Sequence, residues 1–360
     1  MLIMKNKKTM MRWPDDSSNQ AGFSLMELMI VVCLLIVILG AVLLLLKDSI
    51  KLSATTFELT EAQESLRTAQ EFINRDLITA GDGLRNINNI CLSSNFVSNY
   101  LTKNNTGSTC GSGLVNLPLI QSDNDLPGST TVTGTNPVLK VRSNPTATDR
   151  ISILQIDPSF TPITLPPNAI NASGSNISVS AADINKFTEG EIYFITSSAG
   201  ATFGTITSRN VNSRNLIFAS SDTYGLNQPG NGGPINIVSD KGTLPTTIMR
   251  MRMIHYFVNE NGLLVRRVLG VGGGSGYLDS VIAERVVNLQ FRYFLNLLDD
   301  TGFVAQPVAQ LTTEEQQAAV RQVEVTVTTE TIRPVSNGRT QTISSTTTTS
   351  VRNLQFREAL

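Results

Sequence analysis

Gly22-Phe23-Ser24-Leu25-Met26-Glu27-Leu28-Met29-Ile30-Val31-Val32 opens a run that continues without interruption to Leu46. Of the 24 residues after Gly22, only Ser24 and Glu27 are strongly polar. As a helix, such a run reaches across the ~30 Å hydrocarbon core of a bilayer. A secretory signal places its small residue after a short apolar core, whereas Gly22 stands before this one and nothing like A-x-A follows. Glu27 is the second departure: a carboxylate within a spanning helix costs about 2.5–3.5 kcal/mol on insertion scales unless something neutralises it.

These eleven residues resemble the type III signal of type IV pilins and of type II secretion pseudopilins. The resemblance implies that a prepilin peptidase cuts between Gly22 and Phe23, that Phe23 is then N-methylated, and that Glu27 neutralises an N-terminal amine when subunits dock. The physical reading agrees, because an ammonium is the partner that repays a carboxylate in lipid. An uncleaved signal anchor would need chance to supply the glycine, the aromatic and the acid together.

Residues 1–22 carry Lys5, Lys7, Lys8 and Arg12 against Asp15 and Asp16, a net side-chain charge of +2. The positive-inside rule keeps that end in the cytoplasm and exports the bulk of the chain. Trp13-Pro14 interrupts any helix there, and Met4, Met10 and Met11 are alternative starts. Removing 22 of the 360 residues leaves 338, enough for a large globular region. A formal charge of -1 argues against general nucleic-acid binding and points to protein partners.

Beyond Leu46 hydropathy falls but helical spacing persists. Leu52, Leu59, Leu66, Ile73 and Ala80 recur every seven residues, Ala62, Ala69 and Leu77 fill the other core positions, and Glu58, Glu61, Glu64, Arg67, Glu71 and Arg75 fall elsewhere. One narrow apolar stripe suits packing on the chain's own head better than a free coiled coil. Gly81-Asp82-Gly83 supplies the stop. The spacing predicts a continuous helix over Phe23–Ala80, about 87 Å long at 1.5 Å per residue.

The head is expected from Leu84. In an oxidising compartment Cys91 and Cys110, the two cysteines outside the membrane run, form one disulfide around a loop rich in Asn, Ser and Thr. Cys33 is a small apolar residue of the span. Zinc is excluded because His255 is the only histidine. Residues 120–245 read as short strands, such as Ile151–Ile156 and Ile192–Ile195, broken by Pro, Gly, Asn and Ser, without a legible topology. Further on, Met251–Val258, Asn259-Glu260-Asn261-Gly262 and Leu263–Leu269 predict a hairpin. Val287, Leu289, Phe291 and Tyr293 alternate with Asn288, Gln290 and Arg292 as a half-buried strand. Val323, Val325 and Val327 begin another, and Asn337-Gly338 returns the chain into Thr342–Val351.

The succession of Gly262–Arg267, Val286–Tyr293, Val320–Val327 and Val351-Arg352-Asn353 is similar to the C-terminal region of PilW-type minor pilins and J-type pseudopilins. With residues 22–83 this covers under half of the chain.

Catalytic constellations are weak. Gly270–Gly276 is glycine-rich but lacks the Gly-Lys-Ser/Thr of a P-loop, and reads as a hairpin loop. His255 alternates with apolar neighbours and no G-x-S-x-G accompanies it. Asp299-Asp300 reads as a solvated turn and Glu314-Glu315 as a helix start. Of Arg266-Arg267, one is expected to face water, with surface placement as the default.

The expected fold class is α+β and pilin-like, with a long N-terminal helix packed on an antiparallel sheet head with long loops. Its divisions are a leader over 1–22, a spanning helix over 23–46, an amphipathic helix over 47–83 and a β-rich head over 84–360. The expected function is that of a structural minor pilin in the priming or tip complex of a type IV pilus, a fibre of adhesion and motility. The alternatives are a type II secretion pseudopilin and a membrane-anchored periplasmic enzyme or receptor. The resemblance implies no cofactor and no catalysis. Its partners would be the prepilin peptidase, other minor pilins, the major pilin and the inner-membrane assembly platform. Before assembly the chain would cross the inner membrane once, its head in the periplasm.

Overall fold

The computed structural model describes residues 22–84, 90–101, 109–111, 113–117, 120–126, 131–132, 139–140, 147–230, 232–271, 276–296, 298–299, 302–303, 307–332 and 340–351. Outside them lie the expected leader apart from Gly22, Gly272–Ser275, Asp300, the Asn337-Gly338 return and Arg352-Asn353. The chain divides into two units, Met1–Phe57 and Glu58–Leu360.

The first unit contains the start of helix Leu25–Ile78. Ser24 opens it, its carbonyl accepting the N–H of Glu27 at 2.9 Å and of Leu28 at 3.1 Å. Leu, Ile, Val and Met follow almost without break, giving a stretch long and apolar enough to cross a membrane. Every residue from Gly22 to Leu46 is exposed. Leu52, the first member of the heptad stripe, is exposed as well.

From Glu58 the same helix belongs to the second unit, and its apolar stripe is buried there. Ala62, Leu66, Ala69, Ile73 and Leu77 recur at intervals of three and four and join the main core. Burying Leu66, Ile73 and Leu77 contributes roughly 1.5–3 kcal/mol each. Glu58 departs from the expected polar face: it is buried, and its Oε2 accepts the Ile332 N–H at 3.0 Å. The stop falls where expected. Gly81 and Gly83 take φ of +75° and +71°, and the Gly81 N–H donates to the Leu154 carbonyl at 2.8 Å, tying the helix end to the sheet.

The main sheet has eleven strands organised on Thr246–Val258. At 13 residues it is long enough for two sets of antiparallel neighbours. Its first half pairs with Ile192–Ser197 and Ile163–Leu165, and its second half with Thr148–Ile156 and Leu264–Leu269. Beyond Leu264–Leu269 lies Tyr277–Ala283, and beyond Thr148–Ile156 lies Ile120–Leu126. In the other direction the order continues through Gly200–Thr205, Ile90–Ser93, Leu114–Asn116 and Thr109–Gly111. The expectation of an antiparallel sheet needs one correction: Ile90–Ser93 runs parallel to Gly200–Thr205. About 110 residues separate those strands, room for the long crossover that a parallel pair requires.

A second antiparallel sheet orders Val286–Leu295, Val320–Glu330 and Thr342–Ser350. In its middle strand Val323, Val325 and Val327 alternate inward as predicted. In Val286–Leu295 a register shift between Val286 and Asn288 leaves Val287 half-buried, whereas Leu289, Phe291 and Tyr293 are buried as expected. The predicted hairpin is present, its Asn259 Oδ1 accepting the N–H groups of Asn261 and Leu263 at 3.0 Å. Its first strand begins earlier than the apolar pattern suggests, because Thr246–Arg250 pair with strands that only the fold brings near. A smaller core of Phe160, Phe187, Tyr193, Phe218 and aliphatic neighbours fills the part of the head around Ile163–Leu165 and Asn176–Ser178. The described architecture is thus α+β: an apolar N-terminal helix followed by a head of mixed sheet.

Candidate functional site

Gly22, Phe23 and Ser24 precede the helix, and Glu27 lies in its first turn. Phe23 is 81 % exposed, and a side chain built at Gly22 would meet nothing within 4 Å. A peptide bond in such an exposed, non-helical segment is open to a peptidase. Glu27 stands where the positive end of the helix dipole favours an anion. Among the described residues no cation pairs with it. Cys33, a turn and a half further on, is an exposed free thiol.

Cys91 and Cys110 are joined in a disulfide, their Cα atoms 6.0 Å apart. Cys91 lies on Ile90–Ser93, and Cys110 on Thr109–Gly111, two strands that flank Leu114–Asn116. The bridge therefore holds three strands at the edge of the main sheet. The Asn-, Ser- and Thr-rich loop that it closes opens with a short helical segment whose Phe96, Val97, Tyr100 and Leu101 are buried.

Several polar residues without individual sequence signals hold the head to its helix. Asp76, 3 % exposed, accepts from Arg266 Nε at 2.6 Å and from the Tyr256 hydroxyl at 2.5 Å. Ser345 Oγ donates to Gln70 Oε1 at 3.0 Å, and Thr349 Oγ1 to Asn74 Oδ1 at 2.6 Å. Arg266-Arg267 departs from the surface placement expected of it. Arg267 is buried, bonds both oxygens of Asp279 at 2.6 Å and lies over the Tyr277 ring at 4.0 Å. Arg266 turns to the opposite face of the strand and pairs with Asp76.

A second polar group lies inside the head. Arg150, wholly buried, pairs with Asp123. Asp149, also buried, accepts the N–H of Asp125 at 2.9 Å and of Phe291 at 2.7 Å. Burial pushes the Asp149 carboxyl up to about 7 against the opposing pull of those two N–H groups.

His255 sits 2.9 Å by its Nδ1 from Ser152 Oγ, which donates to the Leu101 carbonyl at 2.9 Å. Burial, reinforced by Arg150 and Arg267, holds its pKa well below the ordinary value, so the ring is neutral. Serine and histidine are both sealed from solvent, and this contact stitches Thr148–Ile156 to Thr246–Val258. Gly270 and Gly276 bracket a hairpin connection, with Gly270 N–H donating to the Gly276 carbonyl at 3.0 Å. Glu314 begins a short helix capped by Thr313, whose hydroxyl accepts the Gln316 N–H, while Asp299 lies on a two-residue strand. Among the described residues no group of three or more His, Cys, Asp or Glu side chains is placed to hold a metal.

No protein-family model matches this sequence, and no curated protein matches it.

Proposed function

We propose that this chain is a structural minor pilin of the PilW type, acting in the complex that primes type IV pilus assembly. One observation carries the proposal: Gly22–Val32 combines a small residue, an aromatic and a lone carboxylate at the start of a membrane-length apolar helix. In this reading the pilin-like fold uses its apolar half-helix first as a membrane anchor and then as part of a fibre core. The head stays in the periplasm until the fibre carries it outward. Glu27 gives docking its driving force, since a carboxylate without a cation in lipid gains most when a neighbour's terminal ammonium arrives. Partners follow from these steps: prepilin peptidase, the other minor pilins, the major pilin and the assembly platform.

The test is mass spectrometry of the mature N-terminus in cells with and without the peptidase, followed by co-purification with fibre subunits. The expected mature chain begins at a methylated Phe23, and replacing Gly22 by a bulky residue traps the precursor in the inner membrane. Identical N-termini in both backgrounds would falsify the proposal. A type II secretion pseudopilin is the second reading, since the resemblance of Val286–Tyr293 and Val320–Val327 is to J-type pseudopilins as well as to PilW-type minor pilins. Co-purification with secretion components in place of pilus subunits selects it.

A further inference from the structure

Two segments distant in sequence wall a surface cleft of about 430 Å³. One wall comes from Ser93, Asn95, Asn99 and Tyr100, within the loop closed by the Cys91–Cys110 disulfide, and the other from Ser220, Asp222–Gly225 and Asn227–Pro229. The volume falls within the ~300–1,000 Å³ of small-molecule sites.

The walls are fixed before any ligand arrives. The Asp222 carboxylate accepts the N–H groups of Leu226 at 2.8 Å and Asn227 at 3.0 Å, so it is spent on shaping the loop. Asn227 is fully engaged: its Nδ2 donates to the carbonyls of Thr205 and Ala219 at 2.6 and 3.0 Å, and its Oδ1 accepts the Thr205 N–H at 2.9 Å. The Tyr100 hydroxyl donates to the Thr223 carbonyl at 3.3 Å and so links the two walls. Tyr100 and Tyr224 are only 3 % and 2 % exposed, their ring centroids 5.5 Å apart in edge contact.

What remains at the mouth is a set of neutral groups. The amides of Asn95, Asn99 and Gln228 are exposed or half-exposed, as are Ser220 and Thr223, and none of these side chains has a hydrogen-bond partner among the described residues. Amides and hydroxyls each donate and accept. Among the described residues no Lys or Arg lines the cleft, which disfavours phosphates and nucleotides. A lone carboxylate already bound to two N–H groups makes a poor cation site. Among the described residues exposed apolar lining is limited to Pro229, which disfavours an oily ligand. We infer that this cleft binds a neutral saccharide of one or two rings, whose hydroxyls match the donor and acceptor character of the three amides. The inference does not depend on the fibre reading.

The experiment is isothermal titration of the full chain, held in a zwitterionic detergent that carries no sugar. The probes are glucose, galactose, N-acetylglucosamine, lactose and cellobiose, with glucose 6-phosphate and N-acetylneuraminic acid as charged comparisons. At least one neutral sugar should bind saturably at millimolar concentration and more tightly than either charged one. Asn99→Ala and Gln228→Ala should each weaken it about tenfold, the scale of one hydrogen bond. Asn95→Trp should block the cleft and abolish binding, and all three variants should melt with the wild type because the altered side chains make no hydrogen bond among the described residues. Absence of saturable binding by every neutral sugar, equal binding by the three variants, or preference for a charged sugar would each overturn the inference.

Discussion

Asp76→Ala should cost the head about 3–5 kcal/mol, the usual consequence of removing one partner from a buried ion pair. The carboxylate is 3 % exposed, and Oδ2 alone accepts from Arg266 Nε at 2.6 Å and from the Tyr256 hydroxyl at 2.5 Å. Burial pulls the Arg266 pKa down, but the bond and charge of Asp76 more than reverse it, so the guanidinium depends on this carboxylate. Tyr256 is less dependent, because its hydroxyl also reaches the Phe72 carbonyl at 3.1 Å. Arg75 contributes little: its Nε lies 3.7 Å away and its side chain is 61 % exposed. Most of the loss therefore comes from stranding Arg266, whose side chain is only 14 % exposed. Two controls separate that from lost packing. Asp76→Asn keeps the shape and should cost about 2 kcal/mol. Arg266→Met added to Asp76→Ala should restore a large part of the stability. Urea unfolding of the full chain in detergent, followed through the near-ultraviolet tyrosine signal, measures all four corners of the cycle. A cost below ~1 kcal/mol for Asp76→Ala, or a coupling below ~1 kcal/mol between the two sites, would refute the reasoning.

Asp149 should make the head less stable as pH rises. Its folded pKa, raised to about 7 from 3.8, means that its contribution is fully present below pH 3.8 and is lost between about pH 4 and pH 7. The change is on the order of 4 kcal/mol, and Asp123, Asp125, Arg150 and Tyr293 around it are present in both proteins compared, so the difference isolates Asp149. The stability of wild type minus that of Asp149→Asn should fall across that range, and a flat difference would rule out the assignment. Opening the Cys91–Cys110 bridge should cost roughly 3 kcal/mol in the chain-entropy model. The comparison is the urea midpoint with and without reductant, and equal midpoints would count against it. Glu27→Ala should insert into the membrane as well as wild type yet fail to enter fibres; its recovery in sheared fibres at the wild-type ratio would remove the carboxylate's proposed role.

The apolar stripe was legible because helical burial writes itself at intervals of three and four, and Leu66, Ala69, Ile73 and Leu77 follow that spacing into the core. Asp76 sits among them, yet its partner is 190 residues away, beyond the reach of any local pattern. The same limit hid the buried Glu58 and the inward turn of both Arg266 and Arg267. Strands with one wet face, such as Val320–Glu330, show period-two alternation. Thr148–Ile156 is buried along eight of its nine residues and reads only as an apolar run with polar interruptions. Its Asp149, Arg150 and Ser152 look like surface residues until their partners are known. The apolar run after Gly22 was legible because its residues are contiguous in sequence, and the structure makes them one helix long and apolar enough to cross a membrane. The cleft between Asn95 and Gln228 was invisible, since no spacing relates its two walls.

Thr246–Val258 also imposes a timetable. It is the shared neighbour of strands from residues 148 to 269, and almost everything it joins precedes it in the chain. If the head is exported from its anchored end towards its C-terminus, the preceding 160 or so residues of head reach the far side before the strand that unites them. Until Val258 has crossed, Ile192–Ser197 and Thr148–Ile156 present open edges to any chaperone or protease in that compartment. Under such export, the vulnerable interval would be set by where one strand falls in the order of synthesis.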